Sequence, residues 1–208
     1  MCGRYVITKP VSKTIDLVKS NIKVEDLDNY NAHPTQKLPI IRSYTNGKAL
    51  ENYQWGIVPK WAKEKSDFRP LINARLETIN EKVSFKKLIK QKRCIAVADG
   101  FYEWKREEKF KTPYYFLRKD KKMIFIAAIH ENNEFCLITE DASENVKFIH
   151  HRQPVILNES DVNRYLNLEL DGSIFLKESK KVDLEFYEIS KDVNKPTNNS
   201  VSLIQEIK

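Results

Sequence analysis

Six short, glycine-poor runs of β-branched and aromatic residues constrain this chain most. They are RYVIT behind the N-terminus, RCIAVA at 93–98, TPYYFL at 112–117, MIFIAAI at 123–129, EFCLIT at 134–139 and QPVIL at 153–157. Each is bounded by charged or turn residues, the pattern of strands packed into a core. The polar connector HENNE at 130–134 makes the 123–139 stretch a predicted hairpin. Helical spacing is rarer. SKTIDLVKSN offers Ser12 as an N-cap ahead of Ile15, Leu17 and Val18, and NEKVSFKKLIKQKR offers Asn80 ahead of Phe85, Leu88 and Ile89. ESDVNRYLNL is a third candidate, capped near Asn158 or Ser160. With 208 residues, no repeat and no low-complexity linker, the expected architecture is one α+β domain, residues 2–208. Its sheet should be mostly antiparallel and barrel-like, with a few flanking helices.

Bulk properties remove several classes of function. No apolar run approaches the roughly 20 residues that span a bilayer. Lys9, Pro10 and Lys13 interrupt any secretory h-region, so the expected location is cytoplasmic, with no membrane partner. Cys2, Cys94 and Cys136 are odd in number and far apart, which indicates neither a disulfide framework nor a zinc site. No metal and no cofactor is expected. The net charge of +7 suits a polyanionic partner, although a lysine-rich composition has the same effect in an AT-rich genome.

Four stretches hold polar or aromatic side chains that a plain strand or turn does not need. In NARLET, an extended backbone would point Asn73, Arg75 and Glu77 to one face; the ordinary alternative is a solvated strand face. DGFYEWK sets Glu103 among Phe101, Tyr102 and Trp104, where desolvation would raise its pKa toward that of a useful acid or base. An exposed edge-strand glutamate is the ordinary alternative. IHHRQP supplies His150 on the same face as Arg152, a titrating group beside a phosphate-binding type. WGIVPKWA offers Trp55 and Trp61, which could stack on nucleobases if exposed or fill the core if not.

The N-terminus poses a sharper question. In MCGRY a cysteine follows the initiator methionine, and its small side chain permits Met1 removal. The mature chain would then begin with an α-amine and a thiol on one residue, a 1,2-aminothiol that condenses with aldehydes. A buried cysteine opening a strand is the plain reading.

Taken in order, MCGRY, YNAHPTQ at 30–36, WGIVPKWA at 55–62, NARLET at 73–78, RCIAVADGFYEW at 93–104 and IHHRQPVIL at 149–157 closely resemble the SRAP family, from residue 2 to about residue 194. That resemblance implies the SRAP fold and a monomer. It also implies recognition of abasic sites in single-stranded DNA, with a covalent crosslink through Cys2 and lyase-like Schiff-base chemistry in a DNA-damage or SOS setting. By the same resemblance, Cys2, Asn73, Glu103 and His150 are the catalytic set. Glu103 would move protons, His150 would assist sugar ring opening, and Asn73 would orient the Cys2 amine. Arg4, Arg75 and Arg152 would hold phosphates, Pro34, Trp55 and Trp61 would form a wedge and stacking surface, and Thr139 would line the pocket. The family usually reads H-x-R-M-P, whereas Gln153 precedes Pro154 here. Two other functions would use the same features. An N-terminal-nucleophile hydrolase or self-cleaving peptidase would use Cys2 as its nucleophile, and a non-covalent single-strand binder would need only charge and aromatics.

Overall fold

The computed structural model describes residues 2–19, 21–65, 67–108 and 110–207, so the expected removal of Met1 concerns a residue outside these ranges. The strands are β1 (Tyr5–Ile7), β2 (Ile22–Lys23), β3 (Asn29–Ala32), β4 (Lys37–Tyr44), β5 (Gly47–Trp55), β6 (Asn73–Arg75) and β7 (Arg93–Ala98). They continue with β8 (Gly100–Glu107), β9 (Phe110–Arg118), β10 (Ile124–Glu131), β11 (Glu134–Asp141), β12 (Arg152–Pro154), β13 (Ile156–Leu157) and β14 (Leu184–Glu188). The helices are α1 (Pro10–Val18), α2 (Leu88–Gln91), α3 (Glu144–Lys147), α4 (Glu159–Leu166) and α5 (Gly172–Glu178).

One sheet runs β14-β9-β8-β1-β3 and the other β12-β11-β10-β7-β4-β5-β2. In the second sheet β6 joins β11 in parallel, and β5 meets β11 at Gln54–Glu134 and Trp55–Phe135. That sheet is strongly curled rather than closed into a barrel. Tyr5, Ile7, Phe101 and Phe116 from the first sheet share one core with Ile40, Trp55, Ile95 and Ile126 from the second.

The chain crosses between the sheets at Asp99, from β7 into β8. Asp99 accepts hydrogen bonds from the Thr8 N–H and hydroxyl, both at 2.7 Å, which fixes the corner. Gly100 follows because a Cβ there would lie 2.3 Å from the Phe116 carbonyl oxygen. Strand β7 is buried along its whole length, as a continuous apolar run demands. The β10–β11 hairpin turns on Asn132 and Asn133, with φ of 50° and 64°, a left-handed pair that asparagine tolerates.

Several expected boundaries shift. Helix α1 starts at Pro10, not behind Ser12; the Val11 N–H donates across the chain to Asp26 at 2.8 Å, so a distant carboxylate does the capping. The helix expected after Asn80 shrinks to α2, and Asn80 Nδ2 donates to Ser173 Oγ at 2.7 Å instead of capping. QPVIL divides at Val155, with β12 pairing β11 and β13 pairing β10. Helix α4 follows Asn158 as expected. Among the described residues no helix is long and apolar enough to cross a membrane.

Candidate active site

The register of β1 on β8 places Tyr5 opposite Phe101, and the Tyr102 N–H donates to the Arg4 carbonyl at 3.0 Å. The paired register ends there, and Cys2, ahead of the strand, lies in the core that Tyr5 and Phe101 share. Period-2 alternation along β8 then sorts the GFYEW side chains. Tyr102 packs into a small second core with Val6, Ile189, Val193 and Leu203, against which Trp104 rests. The Trp104 indole N–H donates to Asn194 at 2.8 Å. Phe101 turns the other way and stacks on Phe116 at 4.9 Å, with Glu103 following on that face. Tyr102 and Trp104 thus face away from Glu103, which is 3% exposed on the Phe101 face of the strand. Burial pushes the Glu103 carboxyl up to about 7.

His150 completes a pair with it, Nε2 standing 3.9 Å from Glu103 Oε2. His150 Nδ1 lies 3.0 Å from the Arg152 backbone N–H and 3.1 Å from the Arg152 carbonyl, which hold the ring with Nε2 facing the carboxyl. Burial lowers the His150 pKa to about 4, so the ring is neutral at physiological pH. Cys2 is fully buried, and burial, reinforced by the nearby Glu103 charge, pushes its thiol well above the usual range. Asn73 Nδ2 donates to the Cys2 carbonyl at 2.9 Å, while Asn73 Oδ1 is buried without a hydrogen-bond partner. Cys2, Asn73, Glu103 and His150 therefore converge from β1's leading end, β6, β8 and the segment before β12.

The expected DNA contacts are placed less uniformly. Arg75 is exposed at the end of β6, beside Asn73. The chain then enters a single turn, Leu76–Thr78, so Glu77 leaves the alternation and reaches Arg152 instead. Arg152 is not a free phosphate clamp. It is 4% exposed, donates to both Glu77 oxygens at 2.8 and 2.9 Å and to Asp141 at 2.6 Å, and reaches the buried Thr139 hydroxyl at 3.3 Å. Its charge is spent inside the protein, and Thr139 lies behind it rather than on a surface. Arg4 is likewise committed: Nη1 donates to Asn31 Oδ1 at 2.6 Å and to the Val193 carbonyl at 2.7 Å.

Trp55 is fully buried, its ring 5.1 Å from Tyr5 and its N–H bonded to the Ile72 carbonyl, so it cannot offer a face to a base. Trp61 can: it is 55% exposed, edge-on to Phe68. Pro34 is half-buried on a loop held by the Thr35 N–H donating to the Trp55 carbonyl at 2.8 Å.

Sequence reasoning missed Asn31, whose side chain ties Arg4 to the C-terminal segment through the carbonyls of Lys195 and Asn198. It also missed exposed Arg106, whose charge lowers the pKa of both Glu103 and His150. The YNA and EWKR contexts held those residues, but only tertiary packing gives them partners. Gln153 is held by Glu140 and the Ser143 N–H at 3.1 and 3.0 Å, a polar replacement with its own network. Among the described residues no His, Cys, Asp and Glu side chains cluster as metal ligands would.

A family model described as SOS response associated peptidase (SRAP) matches residues 1–196. The chain is similar to abasic site processing protein YoqW of Bacillus subtilis (strain 168), at 32% identity over 222 residues covering 99% of each chain. Abasic site processing protein YedK of Escherichia coli (strain K12) is 28% identical over 230 residues, with 100% of each covered. A crystal structure of a Bacteroides thetaiotaomicron protein superposes with a TM-score of 0.82 at 25% identity, covering 100% of both chains. A phage-related protein from Bordetella bronchiseptica superposes with a TM-score of 0.74 at 23% identity over 91% of this chain and 95% of that one, a likeness of fold alone.

Proposed function

The chain belongs to the SRAP family, and on that footing we propose that it captures abasic sites in single-stranded DNA as a covalent thiazolidine at Cys2. Met1 excision frees the Cys2 α-amine, which titrates near ~8 against ~10.4 for a lysine and so is partly neutral at physiological pH. The amine attacks the aldehyde of the ring-opened deoxyribose. Loss of one water gives an imine, and the thiol then adds across the C=N bond, its proton passing to nitrogen. Atoms balance with no oxidant or reductant.

The observation that carries this reading is the buried Glu103 carboxyl, with a pKa of about 7, acting on the Cys2 thiol from the adjacent strand. A group at that pKa can protonate the departing water and take the proton back on reversal. Neutral His150, with Nε2 facing Glu103, serves ring opening by relaying a proton. A thiol held far above its usual pKa is a poor opening nucleophile, which favours amine-first chemistry over thiolate attack on a peptide. The basic surface, with exposed Arg75 and Trp61, suits a single strand that is extruded cheaply where it has no base. The protein acts as a monomer.

Intact mass spectrometry of protein mixed with an abasic oligonucleotide tests this. The expected adduct equals the Met1-less protein plus DNA less one water, absent for Cys2→Ala. A Cys2→Ala adduct equal to the Met1-less variant plus DNA less one water that survives denaturation would contradict thiazolidine formation.

A further inference from the structure

Phe148 lies two residues before His150 and is 67% exposed, although its neighbours Val146 and Ile149 are buried. The ring is not on a loose loop. It follows α3, where the Lys147 N–H donates to the Ser143 carbonyl at 2.8 Å and the Ile149 and His150 N–H groups both donate to Val146, at 2.9 and 3.1 Å. The Ser143 N–H is in turn fixed on Gln153. A rigid turn thus displays an apolar ring to water beside the Glu103–His150 pair.

From the opposite strand, Lys105 shares the Glu103 face of β8, and its ammonium stands 4.0 Å from the Phe148 ring centroid. Lys105 also pairs with Glu107 at 3.0 Å, and exposed Arg106 follows it. The ammonium lies over one face of the ring, which is still 67% exposed, and an exposed aromatic ring with a cation packed against it can hold a base and its phosphate in single-strand binding. Trp61 packs edge-on to Phe68, whereas Phe148 packs against Lys105.

Resting on the abasic-site reading, we propose that Phe148 stacks the base of one nucleotide flanking the lesion, with Lys105 taking that nucleotide's phosphate. The site gains a second stacking step on the His150 side, and strand capture depends on an intact neighbouring base there.

The test uses full-length protein and single-lesion oligonucleotides carrying a baseless tetrahydrofuran spacer 5′ or 3′ of the abasic site. The readout is the protein concentration that half-saturates adduct formation. The wild type should need roughly tenfold more protein when the spacer removes the stacked base on the Phe148 side. F148A should be weakened on the unmodified flank and lose nothing further with that spacer, while F148W retains the wild-type response. K105Q should reduce the slope of log K against log salt by about 0.7. If F148A and the wild type respond alike to both spacers, the stacking subsite is wrong although capture stands. If the wild type forms no adduct on any oligonucleotide, the abasic-site reading falls and takes the subsite with it.

Discussion

Glu103 Oε2 lies 3.9 Å from His150 Nε2, and burial has reversed the order in which these two groups titrate. The carboxyl sits at about 7 and the imidazole at about 4, so near neutrality a shared proton resides on the glutamate. A conventional glutamate–histidine ion pair would carry the opposite assignment. Such a pair offers a partly protonated acid beside a neutral ring, which under the proposed mechanism suits dehydrating a carbinolamine better than activating a thiolate.

If capture runs as proposed, through a neutral α-amine and a protonated Glu103, the rate should peak between about pH 7 and 8 and fall on either side. Glu103→Gln should remove the alkaline limb near pH 7 and slow the maximum by roughly a hundredfold or more. Rapid-quench kinetics from pH 5.5 to 9 would check this. A Glu103→Gln profile that superposes on the wild type would refute the acid role.

The same shift reads out in stability. The Glu103 pKa rises from 4.5 to about 7 on folding, so its contribution is complete below pH 4.5 and is lost as pH rises through 7. Glu103→Gln should match the wild type near pH 4.5 and exceed it at pH 8 by up to roughly 3 kcal/mol, measured by urea unfolding. Equal stabilities at pH 8 would mean that the carboxyl is not desolvated.

Arg152 and Arg75 should behave as opposites. Arg152→Ala removes a buried guanidinium from Glu77, Asp141 and Thr139 and should cost about 1–3 kcal/mol of stability. Arg75→Ala should leave stability within about 0.5 kcal/mol. It should reduce the salt slope of single-strand binding by about 0.7. A stable Arg152→Ala protein with a reduced salt slope would restore the phosphate-clamp role.

The two tryptophans separate in the same way. Trp55→Ala opens a cavity between Tyr5 and Phe135 and should cost about 3–5 kcal/mol. Trp61→Ala should barely move the unfolding midpoint while weakening single-strand binding roughly fivefold or more. Thermal unfolding and fluorescence anisotropy on the two variants give the comparison.

Legibility in the sequence followed locality. RCIAVA was readable as a strand and HENNE as a hairpin connector, because composition and turn chemistry decide both. Strands β4 and β5 were missed: Pro39, Arg42 and a run of polar residues interrupt them, and their pairing with β7 is a long-range fact. The converging set of Cys2, Asn73, Glu103 and His150 was reached through motif resemblance, since four separate segments supply it. Arg152 misled because a bare arginine in IHHRQP carries no sign of Glu77, a residue 75 positions away that neutralises it. Trp55 misled for the same reason: exposure belongs to the packed fold and not to the residue type.

The most direct test of covalent capture is a denaturing gel. Protein whose Met1 removal has been confirmed by mass is incubated with a labelled single-stranded oligonucleotide bearing one abasic site, then heated in SDS. The expected result is a shifted band that is absent with undamaged DNA and absent with Cys2→Ala. No shifted band from protein with a demonstrably N-terminal cysteine, or an equal band from Cys2→Ala, would contradict capture through Cys2.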